Sequence, residues 1–108
     1  MHLSIQQGLN SLAKVSSPFK ELFKHGTMSI EIYKPYRKDL QKPHKQDEIY
    51  VIISGSGQFF NDGQWVAFKA GDVLFVNAGK EHFFQDFTDD FKTWVIFYGQ
   101  EGGENDNV

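Results

Sequence analysis

The stretch Glu48-Ile-Tyr-Val-Ile-Ile-Ser54 is the clearest strand in the sequence, and it runs directly into Gly55 and Gly57. Its β-branched and aromatic residues favour an extended conformation, and the two glycines suit a bulge or a sharp bend. His44 lies four residues before Glu48, and residues at even separation on a strand project from one face. The stretch therefore predicts a strand that holds an imidazole and a carboxylate on the same side.

Other short strand-like runs lie on both sides of this stretch, at residues 19–23, 28–33, 58–60, 65–68, 73–76, 82–87 and 93–98. Turn residues separate these runs. Gly26 predicts a hairpin near the beginning of the chain, and Asn61-Asp62-Gly63 is the strongest hairpin signal. Residues 9–15 fit either a short helix or a first strand. Many short strands with turns between them indicate an all-β sandwich or barrel.

The length and composition predict a single domain. The chain has 108 residues, 16% of them aromatic, which suits one domain with one core. We expect residues 1–100 to form this domain. Residues 101–108 are rich in glycine and acidic side chains, and such a composition buries too little apolar surface to become ordered unaided. We therefore expect a flexible acidic tail there.

Composition also excludes several classes of partner. The formal net charge is −3 and no cluster of basic residues occurs, so we expect no nucleic-acid partner. No apolar stretch approaches the roughly 20 residues of a membrane span, and the N-terminus lacks a signal-peptide pattern. We therefore expect a cytoplasmic protein without a membrane partner. The chain has no cysteine, so a bound metal must have nitrogen and oxygen ligands.

Two segments of the sequence resemble the paired motifs of the cupin superfamily. The first match consists of His44, Glu48 and Gly55, which are separated by three and six residues. The second match keeps every spacing of its motif and consists of Gly71, Asn77, Gly79, His82 and Asp86. Together the two motifs cover about residues 42–86.

The resemblance implies an all-β fold, namely a double-stranded β-helix or antiparallel jelly-roll barrel of six to eight strands, entered by an N-terminal hairpin. It also implies one divalent metal ion inside the barrel, with His44, Glu48 and His82 as ligands. Imidazole and carboxylate suit Zn, Fe, Mn, Ni and Cu alike, so the spacing does not identify the metal. His2 and His25 lie outside the motifs, and we expect ordinary structural or surface roles for them.

The chain departs from the first motif at one position, where Lys42 replaces the first histidine. A protonated lysine is a poor metal ligand, so a fourth ligand must come from elsewhere. Gln41 and Gln46 are the nearest oxygen donors. Gln46 shares the strand parity of the two predicted ligands in this segment. Gln41 resembles the glutamine that shortly precedes the ligand histidine in sugar-phosphate isomerases of the mannose-6-phosphate type. Both glutamines remain candidates.

The resemblance does not select one activity, because one fold hosts many functions. The first hypothesis is a metal-dependent enzyme of the isomerase, epimerase or oxygenase type that acts on a small oxygen-rich substrate such as a sugar or keto acid. Tyr50 and Lys42 are its candidate catalytic acid or base, and Lys42 is alternatively an anion clamp at the barrel mouth or a solvated loop residue. The second hypothesis is a non-enzymatic module that binds a sugar-like small molecule, with a structural metal or none.

Two predicted strands are apolar at every position, residues 94–98 and 73–76. A strand with one face in water should alternate apolar and polar residues, so these strands predict apolar surface outside the barrel, together with an outward Phe83. The short N-terminal segment cannot cover all of it. Such a patch usually marks an interface, and a two-fold dimer is the commonest way to bury it. We therefore expect a homodimer, with Val95 and Phe97 among the outward residues.

Overall fold

A computed structural model describes residues 1–105 of the chain. These residues form one helix, α1 at Ile5–Leu12, followed by eight strands. The strands are β1 Phe19–His25, β2 Met28–Tyr33, β3 Asp47–Ser54, β4 Ser56–Asn61, β5 Gln64–Lys69, β6 Val73–Val76, β7 His82–Gln85 and β8 Lys92–Tyr98. No helix in this part of the chain is long and apolar enough to cross a membrane.

The strands form two sheets. The larger sheet has five strands in the order β1-β2-β8-β3-β6, and the smaller has three in the order β5-β4-β7. Every strand pair is antiparallel. Residues from both sheets contribute to one buried core. This is the predicted all-β jelly-roll architecture, and its eight strands lie within the expected number.

The local turns follow the signals in the sequence. β1 and β2 form the predicted opening hairpin, with Gly26 at a φ of 59° in the turn. Asp62 and Gly63 connect β4 and β5 and have φ values of 50° and 85°. Two positive φ values in a two-residue loop are typical of the type I′ turn that matches the twist of a hairpin. The strongest hairpin signal is therefore confirmed.

The core between the sheets is aromatic. Tyr50 of the larger sheet and Phe59 and Phe84 of the smaller sheet are each at most 2% exposed. The rings of Tyr50 and Phe84 meet edge to face with centroids 4.9 Å apart, a geometry that adds to the gain from buried area. The ring of His82 lies 6.4 Å from that of Phe59. The aromatic core therefore extends to the ring of His82.

β8 has the opposite orientation from the one expected. Its register with β3 pairs Phe97 with Glu48 and Val95 with Tyr50, and directly paired residues lie on the same face of a sheet. Because Tyr50 is buried in the core, Val95 and Phe97 also face inward, and Val95 is only 3% exposed. The expectation that these two residues point outward was wrong. When every residue of a strand is apolar, the sequence does not show which alternate residues face the core.

The outer face of the larger sheet is apolar along a row that crosses all five strands. The row consists of the cross-strand partners Phe23, Ile30, Ile96, Ile49 and Phe75. Helix α1 covers the neighbouring part of this face, since a Cβ atom on its Gly8 would lie 3.0 Å from Ile32 and 3.3 Å from Trp94. At the β6 edge the face is open, with Val73 65% and Phe75 45% exposed.

The first residues of the predicted tail are hydrogen-bonded to the barrel. The Gly102 N–H donates to the Lys45 carbonyl oxygen at 2.8 Å, and the Glu104 N–H donates to the Asp47 carboxylate at 2.8 Å. Asp47 is 4% exposed and also accepts a hydrogen bond from the Ala78 N–H. A flexible tail over residues 101–108 stays a prediction, and residues 106–108 lie outside the described part of the chain.

We expect Gly55→Ala to destabilise the fold much more than Gly63→Ala. Both glycines have positive φ, 89° and 85°, which costs an L-residue about 1–2 kcal/mol. Only Gly55 is also enclosed, since an added Cβ would lie 2.6 Å from the Phe91 Cα, whereas nothing lies within 4 Å at Gly63. This overlap should add about 1–3 kcal/mol, which urea unfolding of the two variants measures. Equal losses would show that the close approach of Phe91 is not what requires Gly55.

Candidate metal centre

Three side chains from separate parts of the chain converge inside the barrel. His44 lies shortly before β3, Glu48 is the second residue of β3, and His82 is the first residue of β7. Glu48 Oε1 lies 3.0 Å from His44 Nδ1 and 2.7 Å from His82 Nε2. One ligand atom from each residue lies within 4.8 Å of the others. The structure thus brings together the three residues that the two sequence motifs predicted as ligands.

The two sheets fix the depth of these side chains. Glu48 faces inward between Val76 and Phe97, its partners on β6 and β8, and His82 enters from the smaller sheet. Glu48 and His82 are each 1% exposed. The side chain of His44 packs against the Phe97 ring and is 33% exposed. The group is therefore closed on the core side and open at His44.

The backbone determines which nitrogen of His82 carries a hydrogen. His82 Nδ1 lies 2.8 Å from the Lys80 carbonyl oxygen, and a carbonyl only accepts, so Nδ1 is the donor. In the neutral ring Nε2 then carries a free lone pair. Nε2 lies 2.7 Å from Glu48 Oε1, which is also an acceptor when the carboxylate is ionised. The two atoms therefore need a proton or a metal cation between them.

Two buried atoms of this group lack hydrogen bonds. Glu48 Oε2 and His82 Nε2 have no hydrogen-bond partner among the described residues, although Nε2 is close to the other carboxylate oxygen. Leaving a carboxylate oxygen buried and unsatisfied is costly. A divalent cation would satisfy both atoms, and two imidazoles with one carboxylate are ligands that such cations accept. The donor set therefore fits a divalent metal.

The pKa values of Glu48 and His82 move in opposite directions. Burial alone would raise the pKa of Glu48, but the interactions with His44 and His82 outweigh burial and lower it from the ordinary 4.5. Burial alone would lower the pKa of His82, but the Glu48 carboxylate and the Lys80 carbonyl outweigh burial and raise it from the ordinary 6.5. At a pH above the lowered pKa of Glu48 and below the raised pKa of His82, both groups carry charge and attract each other.

Gln46 and Lys42, which the sequence analysis included in the site, lie outside this group. Gln46 Nε2 donates to the carbonyl oxygens of Thr27 and Gly99, each at 2.8 Å, which holds its amide near the ends of β2 and β8. Its position therefore gives no support to a role as fourth ligand. Lys42 is exposed and lines the cavity that opens on His44. It therefore lies at this cavity and not among the three converging side chains.

The other two predicted site residues belong to a hydrogen-bond network around Asp39, which the sequence analysis missed. Asp39 is 8% exposed and accepts hydrogen bonds from Tyr33, Gln41 and Phe84. Gln41 Oε1 in turn accepts a hydrogen bond from the Tyr50 hydroxyl at 2.9 Å. Burial, followed by nearby carboxylates, raises the pKa of Tyr50 well above its ordinary value. Tyr50 is therefore a protonated phenol at neutral pH.

Two cavities meet at the open side of the group. The larger has a volume of about 810 Å³ and the smaller about 510 Å³, and Glu31, His44 and Phe97 line both. Glu31 also went unpredicted. Glu31 is partly buried. Burial is the largest cause that raises its pKa, and the nearby Glu21 carboxylate is the next. Both cavities that border His44 are therefore lined by a carboxyl group with a raised pKa.

The chain is similar to known proteins of one architecture. Residues 29–97 match the sequence profile of the Cupin domain family. An uncharacterized protein of Streptomyces coelicolor is 30% identical over 81 residues, which are 73% of this chain and 77% of that protein. The oxalate-binding protein of Thermotoga maritima is 44% identical over 43 residues, which are 40% of this chain and 36% of that protein. A solved cupin superfamily protein of Desulfitobacterium hafniense has a TM-score of 0.63 at 21% identity, over 76% of each chain.

We expect the chelator-treated protein to be most stable between the ordinary pKa values of 4.5 for Glu48 and 6.5 for His82. The lowered pKa of Glu48 contributes stability above 4.5 that is lost as the pH falls through the folded value. The raised pKa of His82 contributes stability below 6.5 that is lost as the pH rises through the folded value. Thermal unfolding across this range measures the effect, and the maximum should flatten in Glu48→Gln. Stability of the wild type that keeps rising into the alkaline range would contradict the charged pair.

Proposed function

The chain belongs to the Cupin domain family, and we propose that its barrel binds one divalent metal ion through His44, Glu48 and His82. The observation that carries this proposal is the buried Glu48 Oε2, which lacks a hydrogen bond among the described residues, in a carboxylate whose other oxygen has two imidazole nitrogens within 3.0 Å. Zn, Fe, Mn, Ni and Cu all accept two imidazoles and one carboxylate. Three protein ligands leave coordination positions for a small molecule, as in catalytic metal sites.

We propose that this small molecule is an anion of the carboxylate class. Lys34, Lys38 and Lys42 line the larger cavity, where Glu31 is the one carboxylate among the described lining residues. Burial first and the nearby Glu21 second raise the pKa of Glu31, and the three lysines outnumber this one carboxylate. A cleft lined by one sign of charge concentrates ligands of the opposite sign. The relative from Thermotoga maritima is named for binding such an anion, oxalate.

The first candidate function is a metal-dependent enzyme, of the isomerase, epimerase or oxygenase type, acting on a small oxygen-rich substrate. A bound metal would supply a Lewis acid for a substrate oxygen. Tyr50 would act as a hydrogen-bond donor rather than as a base, because its raised pKa keeps the phenol protonated. Lys42 would hold the anionic group of the substrate at the mouth of the cavity.

The second candidate is a non-enzymatic module that binds the same class of anion, and the name of the oxalate-binding relative favours it. Incubation of the metal-loaded protein with oxalate, keto acids and sugars, followed by mass spectrometry of the products, separates the two candidates. Conversion of a substrate supports the enzyme. Binding of oxalate without conversion of any compound supports the binding module.

We expect the purified protein to contain about one divalent metal ion per chain, and His44→Ala and His82→Ala each to remove it, because three ligands leave little redundancy. Glu48→Gln should weaken metal binding less, since an amide oxygen still coordinates but lacks the charge. His25→Ala changes an exposed histidine of β1 and serves as the control. Elemental analysis by mass spectrometry measures the metal content. Full retention of metal in both histidine variants would place the ligands elsewhere.

We also propose that the protein is a homodimer, formed by the outer face of the larger sheet. The apolar row from Phe23 to Phe75 contains no charged residue, so the face is complementary to a second copy of itself. Its β6 edge exposes Val73 and Phe75, and α1 covers only the part around Ile32 and Trp94. A two-fold dimer buries such a face on both copies at once.

We expect light scattering at micromolar concentration to give about twice the chain mass. Phe75→Asp should produce a monomer, because the charge would lie in the apolar interface. Trp65→Asp is the matched control, since Trp65 is 52% exposed but belongs to the smaller sheet, and this variant should remain a dimer. A wild-type monomer at every concentration, or a dimer that survives Phe75→Asp, would rule out this interface.

A further inference from the structure

The buried carboxylate of Asp39 accepts hydrogen bonds from four donor groups. Its Oδ1 accepts hydrogen bonds from the Tyr33 hydroxyl and the Gln41 backbone N–H. Its Oδ2 accepts from the Phe84 backbone N–H at 2.9 Å and from Gln41 Nε2 at 2.7 Å. An ionised carboxylate only accepts hydrogen bonds, so the Gln41 amide must present its nitrogen to Asp39.

The same amide is held from its other side. Gln41 Oε1 accepts the hydrogen bond of the Tyr50 hydroxyl at 2.9 Å. A flipped amide would bring Oε1 against the Asp39 carboxylate, where two acceptors face each other. The Asp39 carboxylate therefore determines the orientation of the Gln41 amide, and the Tyr50 hydroxyl, which can donate or accept, donates to the oxygen that this orientation presents.

This arrangement decides what Gln41 offers to a bound molecule. The oxygen atom accepts the hydrogen bond of the Tyr50 hydroxyl, which occupies one of its two lone pairs, so the atom that would coordinate a metal already has a partner within the fold. The nitrogen has two hydrogens, of which Asp39 receives one. Gln41 lines the larger cavity together with His44 and Lys42. The second N–H is thus the donor that this amide can offer to a ligand in that cavity.

We infer that Gln41 is a specificity-determining residue that donates this N–H to an acceptor oxygen of the bound anion, and that it is not a ligand of the metal. The inference rests on the proposed function for the presence of an anion beside His44. It adds that the ligand must carry an acceptor away from its metal-facing end, as a dicarboxylate or a keto acid does. A ligand with only a donor at that position would meet a donor and be rejected.

The test measures zinc content and oxalate affinity separately. Gln41→Met has nearly the same length but no polar group, and Gln41→Glu keeps the shape and replaces the donor by an acceptor. We expect both variants to retain zinc and to lose oxalate affinity by about 10- to 100-fold, the range for one hydrogen bond to a charged group. Gln58→Met, at an exposed position of β4, is the matched control and should bind oxalate like the wild type.

A second measurement keeps the inference decidable if one variant folds poorly. The side-chain amide signals of Gln41 in an NMR spectrum of the zinc-loaded wild type, assigned by their absence in either variant, should shift on addition of oxalate. Loss of zinc in folded Gln41 variants would make Gln41 a metal ligand and overturn the inference while leaving the metal site intact. Wild type that binds oxalate no better than the Gln41 variants, including no binding by either, would also overturn it. Zinc retention in the histidine variants would instead refute the proposed function.

Discussion

The carboxylate of Glu48, buried between two histidines, is the constraint on which the centre of this molecule depends. A charge that is 1% exposed survives in a low-dielectric interior only with a compensating cation. Glu48 Oε1 has two imidazole nitrogens within 3.0 Å, and Oε2 has no partner among the described residues. The surrounding strands must therefore hold His44 and His82 in place, because loss of either would leave the charge poorly compensated. This buried charge lies beside a core that is mostly aromatic.

The resemblance to the paired cupin motifs was sufficient to predict that these three residues come together, and local strand and turn signals predicted the segments that carry them. Gly55 and Gly63 are examples of these local signals, since each was predicted at a bend or turn and each has a positive φ. The phase of β8 could not be predicted in the same way. Val95 and Phe97 face inward only because β8 pairs with β3 in a particular register. A run of apolar residues without a polar one does not indicate which register the strand adopts.

Asp39 and Glu31 show two further reasons why a side chain escapes prediction. Asp39 lies in the polar connection between β2 and β3, where its hydrogen-bond partner Phe84 is 45 residues away and no periodicity marks it. Glu31 did have a signal. Along β2 the apolar Ile30 and Ile32 alternate with the polar Glu31, but here the polar residue faces the cavity and the apolar ones face outward. The usual assumption that the apolar face is the inner one assigns such a strand the wrong way round.

Two of the buried carboxylates of this barrel, Asp39 and Glu48, show the difference between a structural group and a group that fits a bound cation. Asp39 accepts four hydrogen bonds, one from each sheet and two from the connecting segment, so folding alone satisfies it. Glu48 lies in the same interior, yet one of its oxygens has no partner among the described residues. The fold evidently has the means to satisfy a buried carboxylate, since it does so at Asp39. The unsatisfied Glu48 Oε2, in a carboxylate whose other oxygen lies 2.7 Å from His82 Nε2, is therefore better explained by a cation to be bound than by imperfect packing, because buried polar groups in native structures are otherwise satisfied.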